Sequence, residues 1–239
     1  MSAPAAAPAC LSAGEALAMM DALQVGSSKE RDDALEVGAG AREVDDQHKQ
    51  RWLYGEITNS GLARLLRSQH ASRALDREAG RGGPGTFLDL GCGHGGAVLC
   101  ASLLEPRFRR CVGVEMCAAR AAEAEALVER FERSVGRASL PPAHSGQAVE
   151  VLRGDMFEHD WSPATFVLLH CAGAIGKEAE AKAARELRPG AVVAVFISCI
   201  QAFAARPEVW ELLAEDDVRM SYGKSKVKVF AHREVGAEA

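Results

Sequence analysis

An apolar stretch that runs directly into a glycine cluster constrains this chain more than any other feature: Phe87-Leu88-Asp89-Leu90-Gly91-Cys92-Gly93-His94-Gly95-Gly96. Gly91 and Gly93 remove side chains where the backbone must turn tightly and a ligand must approach closely. A helix starting near Gly95 offers free N–H groups to whatever sits there. From Thr86 onward, candidate strands at 86–90, 111–115, 148–152, 165–170 and 191–198 alternate with helical segments centred on 95–104, 117–135 and 175–187. Strands apolar on both faces and separated by helices predict a parallel sheet covered on both sides. A further helix is expected near 203–214. Val218–Tyr222 and Lys226–His232, joined by Gly223–Ser225, then read as a terminal hairpin. The expected fold is α/β: a doubly wound, mostly parallel seven-stranded sheet with an N-terminal helical extension.

Upstream the signals are weaker. Residues 1–10 are Ala/Pro-rich and read as disordered. Ser12 and Glu15 have the spacing of a capping box, and Ala16, Leu17, Met20 and Leu23 then share a helical face. Residues 26–45 show no clean period and read as a linker or weak helix, and Gln47–Tyr54 as helical or irregular. Asn59 is placed to cap a helix carrying Leu62, Leu65 and Leu66 that runs to about Glu78, before Gly80–Gly85 breaks it. The division that follows is an extension at 1–45, partly disordered with a short helix, and a main domain at 46–239 including a helical cap segment at 46–80.

Hydrophobic residues make up 48% of the chain and aromatics only 5%, so the core must be built largely from Ala, Val and Leu. The net charge of -5 makes direct nucleic-acid binding an unfavoured expectation, because such binding needs clustered Lys and Arg. Lys224, Lys226 and Lys228 form only a small cluster, of the kind a solvated strand face carries. Seven scattered Cys without a CxxC pair suggest reduced thiols, an intracellular setting (cytoplasm or nucleus) and no metal site. No apolar run approaches ~20 residues, so no membrane span is expected and the chain reads as soluble.

Three acids end three successive candidate strands. Asp89 lies shortly before the first glycine, where a carboxylate would repel a pyrophosphate but could accept from the cationic amino-acid end of S-adenosylmethionine. Glu115 ends Cys111-Val112-Gly113-Val114-Glu115, 24 residues after Gly91, near the ~20 expected of an acid that accepts ribose hydroxyls. Its other reading is a helix N-terminal charge. Asp155 in Gly154-Asp155-Met156-Phe157 could accept from an adenine amino group while Met156 or Phe157 packs on the ring, or it could be a turn residue. The spacing Gly91, Gly93, Gly95 departs from the dinucleotide fingerprint, although Gly96 could fill its third place.

The run Phe87–Gly96, with Gly113-Val114-Glu115 and Gly154-Asp155, resembles class I S-adenosylmethionine-dependent methyltransferases. Trp52-Leu53-Tyr54-Gly55-Glu56-Ile57 is similar to the Tyr-Gly-Glu segment of the non-SET, disruptor-of-telomeric-silencing histone-lysine methyltransferases. Gly154-Asp155-Met156 followed by Trp161 resembles their Gly-Asp-Phe and later Trp. The resemblance implies S-adenosyl-L-methionine as cofactor, a protein lysine as acceptor, and Tyr54 and Glu56 closing over the cofactor's methionine end. Where that family carries an Asn-Asn-Phe-type segment after the fourth strand, this chain has Leu168-Leu169-His170-Cys171-Ala172-Gly173, and it lacks a strongly basic tail. His170 is the candidate proton acceptor, since a neutral imidazole can take a proton near pH 7. It and Tyr54 form the expected catalytic pair, with Tyr54, Glu56, Asp89, Gly91, Gly93, Gly95, Glu115, Asp155, Met156 and His170 around the cofactor.

Overall fold

The structure, a computed structural model, describes residues 10–23, 56–170, 175–197 and 199–234. Residues 1–9, the 26–45 stretch, Gln47–Tyr54 and Cys171–Gly173 lie outside these.

Seven strands form one sheet: β1 (Gly85–Leu90), β2 (Phe108–Glu115), β3 (Ala148–Arg153), β4 (Phe166–Leu169), β5 (Val192–Phe196), β6 (Trp210–Met220) and β7 (Gly223–His232). Their order is β3-β2-β1-β4-β5-β7-β6, with all pairs parallel except those made by β7. This is the doubly wound, mostly parallel sheet that the strand–helix alternation predicts. The order reverses direction at β1, so the loop after β1 opens at the switch point, where such sheets bind ligands.

Side chains alternate across the pleat and supply two cores. Phe87, Phe108 and Phe166 stack on one face, with ring centroids 5.5 and 6.0 Å from Phe87. Helices α1 (Ala13–Leu23), α2 (Asn59–Leu66), α3 (Gln69–Gly80), α4 (Gly96–Leu104) and α5 (Ala118–Ser134) bury residues there. Leu88, Leu90, Val112, Val114, Val167 and Val193 face the other side, under α6 (Gly176–Glu186) and α7 (Ile200–Ala204). The scarce aromatics are thus concentrated where sheet and helices meet.

The Ser12–Glu15 capping box forms: Glu15 N–H donates to Ser12 Oγ at 3.2 Å, and Ser12 N–H to Glu15 Oε2 at 2.8 Å. Both ends of α1 are tied to the rest of the chain. Leu11 N–H donates to His144 Nε2 at 3.3 Å, and Arg130 Nη1 donates to the Leu23 carbonyl at 2.8 Å.

Four sequence expectations need correction. Thr58, rather than Asn59, caps α2, its hydroxyl accepting from Gly61 N–H at 3.1 Å. The helical run to Glu78 is two helices, because Ser68 captures Ala71 N–H at 3.3 Å and starts α3. The helix expected near 203–214 is only Ile200–Ala204; from Trp210 the chain is β6, despite its helix-forming Glu-Leu-Leu-Ala-Glu composition. Pairing with β7 along its whole length and burial of Trp210 against Phe203 override that propensity. The hairpin turn is accordingly Ser221–Tyr222, and Gly223–Ser225 already belongs to β7.

No helix of the described residues is long and apolar enough to cross a membrane. Buried Glu180 on α6 locks the start of β6: Trp210 Nε1 donates to it at 2.7 Å and Arg206 Nη1 at 3.1 Å. Glu180→Ala should lower unfolding stability by about 1–3 kcal/mol, while Glu180→Gln, which keeps an acceptor for Trp210, should recover most of that. Equal thermal melts for wild type and Glu180→Ala would show that sheet pairing alone holds β6.

Candidate functional site

Beyond Leu90 the backbone turns through three left-handed glycines, Gly91 (φ 86°), Gly93 (φ 55°) and Gly95 (φ 78°). The alternating spacing read from the sequence is therefore a conformational requirement. The loop is pinned to β2: Gly91 and Cys92 N–H groups donate to the Val114 carbonyl at 2.8 and 3.0 Å. A Cβ on Gly95 would lie 2.9 Å from that of Ala124, so α4 and α5 meet at a bare backbone.

Glu115 finishes β2 and holds the loop shut from its far side. Its Oε2 accepts Gly93 N–H at 2.9 Å and its Oε1 accepts Cys117 N–H, at the start of α5, at 2.7 Å. The helix-terminal reading of this acid is thus realised, and each oxygen keeps a second lone pair for a ligand.

Asp89 sits beside it in the sheet, between Gly113 of β2 and Leu168 of β4 in register. It is 5% exposed, and among the described residues nothing donates a hydrogen bond to its carboxyl group. Burial first, then the Glu115 and Glu56 carboxylates, push its pKa up to about 8. Burial and the same acids also push the Cys92 thiol up, which keeps it protonated and non-nucleophilic.

Glu56 reaches this cluster from an unexpected direction. The hairpin β6–β7 extends four residues beyond the last β5 pair, Phe196↔Val227, an overhang of roughly 13 Å. At its tip, Ile57 bridges to Met220, Glu56 N–H donates to Ser221 Oγ at 3.1 Å, and Ser221 N–H donates to the Glu56 carbonyl at 2.8 Å. The Glu56 side chain then meets His94 Nδ1, in the glycine loop, at 3.1 Å. In a flat sheet, β6 and β1 would be four strands, or about 19 Å, apart. Twist and overhang close that distance.

The same tip touches the end of β4. Tyr222 Oη lies 3.4 Å from His170 Nε2, and the two rings are 22° from parallel with centroids 6.3 Å apart. His170 also packs edge-on against Phe196 at 5.1 Å. Because Leu169 pairs with Leu90, His170 stands level with Gly91 across the strand ends.

Asp155 is placed at the end of β3, where its Oδ1 accepts Phe157 N–H at 2.9 Å in a local turn. Trp161 Nε1 donates to the Met156 carbonyl at 2.8 Å, and Met156 leans on the second core. The structure therefore brings Glu56, Asp89, Glu115 and the three glycines together, with His170 and Asp155 along the same rim. Tyr54 falls outside the described residues. Sequence reasoning missed the His94 side chain and the hairpin residues Ser221 and Tyr222. A histidine inside a glycine loop was the available signal for the first; nothing local marked the others. Among the described residues no group of His, Cys, Asp and Glu could hold a metal.

No protein-family profile matches the chain, and no curated protein does. Solved structures do. An O-methyltransferase from Bacillus cereus in complex with SAH is 14% identical with a TM-score of 0.52, covering 90% of this chain and 91% of that one. A putative O-methyltransferase from Klebsiella pneumoniae is 12% identical with a TM-score of 0.50, covering 91% and 95%. An RNA methyltransferase from Salinibacter ruber, in complex with S-adenosyl-L-homocysteine, is 21% identical with a TM-score of 0.45, covering 70% and 95%. The fold is that of the class I methyltransferases.

Asp89 supplies a test of the site's electrostatics. A folded-state pKa raised from 3.8 to about 8 favours the protonated form in the native state. Its contribution to stability is complete below about pH 4 and is lost as pH rises through about 8. In the free protein, Asp89→Asn should remove that loss, so the variant's melting temperature should gain on wild type steadily from pH 5.5 to 8.5. A pH-independent difference would mean that the carboxylate is solvated.

Proposed function

We propose that this chain is an S-adenosylmethionine-dependent methyltransferase whose acceptor is the side-chain amine of a protein lysine. One observation carries the first part. Asp89 is a buried carboxyl group to which no described residue donates a hydrogen bond, beside two further acids at the mouth of a glycine loop. Such a site favours a cation, and the ammonium of the cofactor's methionyl end fits it. Glu115 has lone pairs left for the ribose hydroxyls. Asp155 and Met156 flank the place of the adenine, and exposed Met116 adds apolar surface beside Glu115. The glycines let the ligand approach bare backbone. Tyr54 and Glu56 are assigned to the methionine end, as the family resemblance implies.

Bound there, the cofactor supplies a methyl group on a sulfonium, ready for in-line displacement. The chain's own residues have to orient the acceptor and exclude water. In this reading His170 takes the acceptor's proton, with Tyr222 Oη 3.4 Å from its Nε2. The lysine reading is supported by the likeness of Trp52–Ile57 and Gly154–Met156 to the non-SET enzymes. A different acceptor is favoured by the His170–Tyr222 pair itself, which stands where that family carries its Asn-Asn-Phe-type segment.

Titration with S-adenosyl-L-homocysteine at pH 7, in buffers of differing ionisation enthalpy, should show binding with release of up to one proton as Asp89 ionises against the ammonium. Asp89→Asn should lose both the binding and the proton. Absence of binding by the wild type would sink the cofactor assignment. With tritiated S-adenosylmethionine and cell extract, label in protein lysine supports the acceptor; label only in RNA or small metabolites refutes it. His170→Ala should slow labelling at least tenfold while weakening homocysteine-product binding less, and full activity would return His170 to a packing role.

A further inference from the structure

The β6–β7 hairpin carries three cross-strand charged pairs on one face. Glu215 opposes Lys228 and Asp217 opposes Lys226, and Glu215 is within 2.9 Å of Lys228 and 3.3 Å of Lys226. The third pair breaks this pattern: Arg219 lies directly opposite Lys224, both are exposed, and neither makes an ion pair among the described residues. Like charges placed opposite one another destabilise a hairpin, so this pair is a local cost in the free protein.

Its surroundings are built and rigid. The Arg219 carbonyl is held by Thr58 N–H at 3.0 Å and by the Thr58 hydroxyl at 2.9 Å, which fixes the arginine's backbone against the start of α2. A Cβ on Gly61 would lie 2.8 Å from that same carbonyl. Between helix and hairpin runs a groove of about 380 Å³ lined by Ser60, Gly61, Arg64, Asp217, Arg219 and Lys224. Arg64 is paired with Asp216 at 2.8 Å, and Asp217, the one carboxylate among these six, stands opposite Lys226, whose ammonium lies instead 3.3 Å from Glu215; Arg219 and Lys224 outnumber it two to one. Arg219 and Lys224 are left as a concentrated positive spot in a chain whose net charge is -5. Three residues from Arg219 and two from Lys224, the same hairpin presents Tyr222 to His170.

We propose that this groove binds a phosphate group of a ligand distinct from the cofactor, with Arg219 and Lys224 holding it. The site does not depend on the methyltransferase reading. Guanidinium and ammonium groups on adjacent strands match a tetrahedral anion better than a single carboxylate, and an arginine can grip it with two parallel donors. The phosphate could belong to a polynucleotide or to a phosphorylated small molecule, and the two are separable by experiment.

The test uses the full chain saturated with S-adenosyl-L-homocysteine and three probes: pyrophosphate, adenosine monophosphate and a fluorescein-labelled mixed-sequence RNA 12-mer. Wild type should bind at least one of them, and the Arg219→Ala/Lys224→Ala double variant at least tenfold more weakly, with homocysteine-product binding unchanged. Lys226→Ala, which removes an already compensated charge, should change affinity less than threefold. Binding of RNA alone, with a salt slope reduced by about 2 in the double variant, identifies a polynucleotide. Binding of the small phosphates as well identifies a phosphorylated metabolite. Lys224→Ala alone should raise the melting temperature of the free protein by about 1–3 °C, because it relieves the repulsion. Equal probe affinities in wild type and double variant, or no binding of any probe, would overturn the site; homocysteine-product binding in that result would leave the methyltransferase reading standing.

Discussion

Two carboxylates held side by side out of water set the terms for the rest of this molecule. Glu115 spends its oxygens on the N–H groups of Gly93 and Cys117, which makes it a clamp between the glycine loop and α5. Asp89 has no such use, and its neutral form is favoured by burial and by its neighbours. Taking a carboxylate out of water without a partner is costly enough that a fold tolerates it only where the surroundings enforce it. Here the enforcement is topological. Asp89 sits on the central strand of a seven-stranded sheet, between Gly113 and Leu168, and is buried there.

The glycine loop follows from the same constraint. Its three left-handed positions bring N–H groups back onto Val114 and Glu115 within a few residues, so the loop is ordered before any ligand arrives. Binding then costs little further backbone entropy. The overhanging hairpin extends this order across the sheet. By pairing with the Glu56–Thr58 segment and touching His170, it ties the far edge strand to the central loop. The edge strand, usually the least constrained part of a sheet, here supports the site.

How much of this was legible in the sequence depends on the range of the interaction responsible. The glycine loop, the strand–helix alternation and the Ser12–Glu15 box are local patterns, and each is found where its residues placed it. Thr58 displaced the expected cap because its hydroxyl, one residue before Asn59, captures Gly61 N–H, and Ser68 split the expected single helix by capping a second one. The composition of Trp210–Met220 favours helix over its first half; pairing with the adjoining β7, the Phe203–Trp210 packing and the sequence-distant Glu180 make it a strand instead. The Glu56–His94 and Tyr222–His170 contacts span 38 and 52 residues and depend on the hairpin overhang, which no residue pattern announces.

Charge is sorted by depth around this site in a way that the overall value of -5 conceals. At the strand ends, Glu56, Asp89 and Glu115 crowd together in a poorly solvated space, where a positive group gains most because opposing charges are weakly screened. On the exposed hairpin, Arg219 and Lys224 stand together beside water, where an anion is held only in concert with specific geometry and is released by salt. A cationic ligand is therefore drawn to the interior and an anionic one to the rim, and neither position suits the other's ligand. Tyr222 lies on the short stretch of chain between the two fields, with its hydroxyl toward His170.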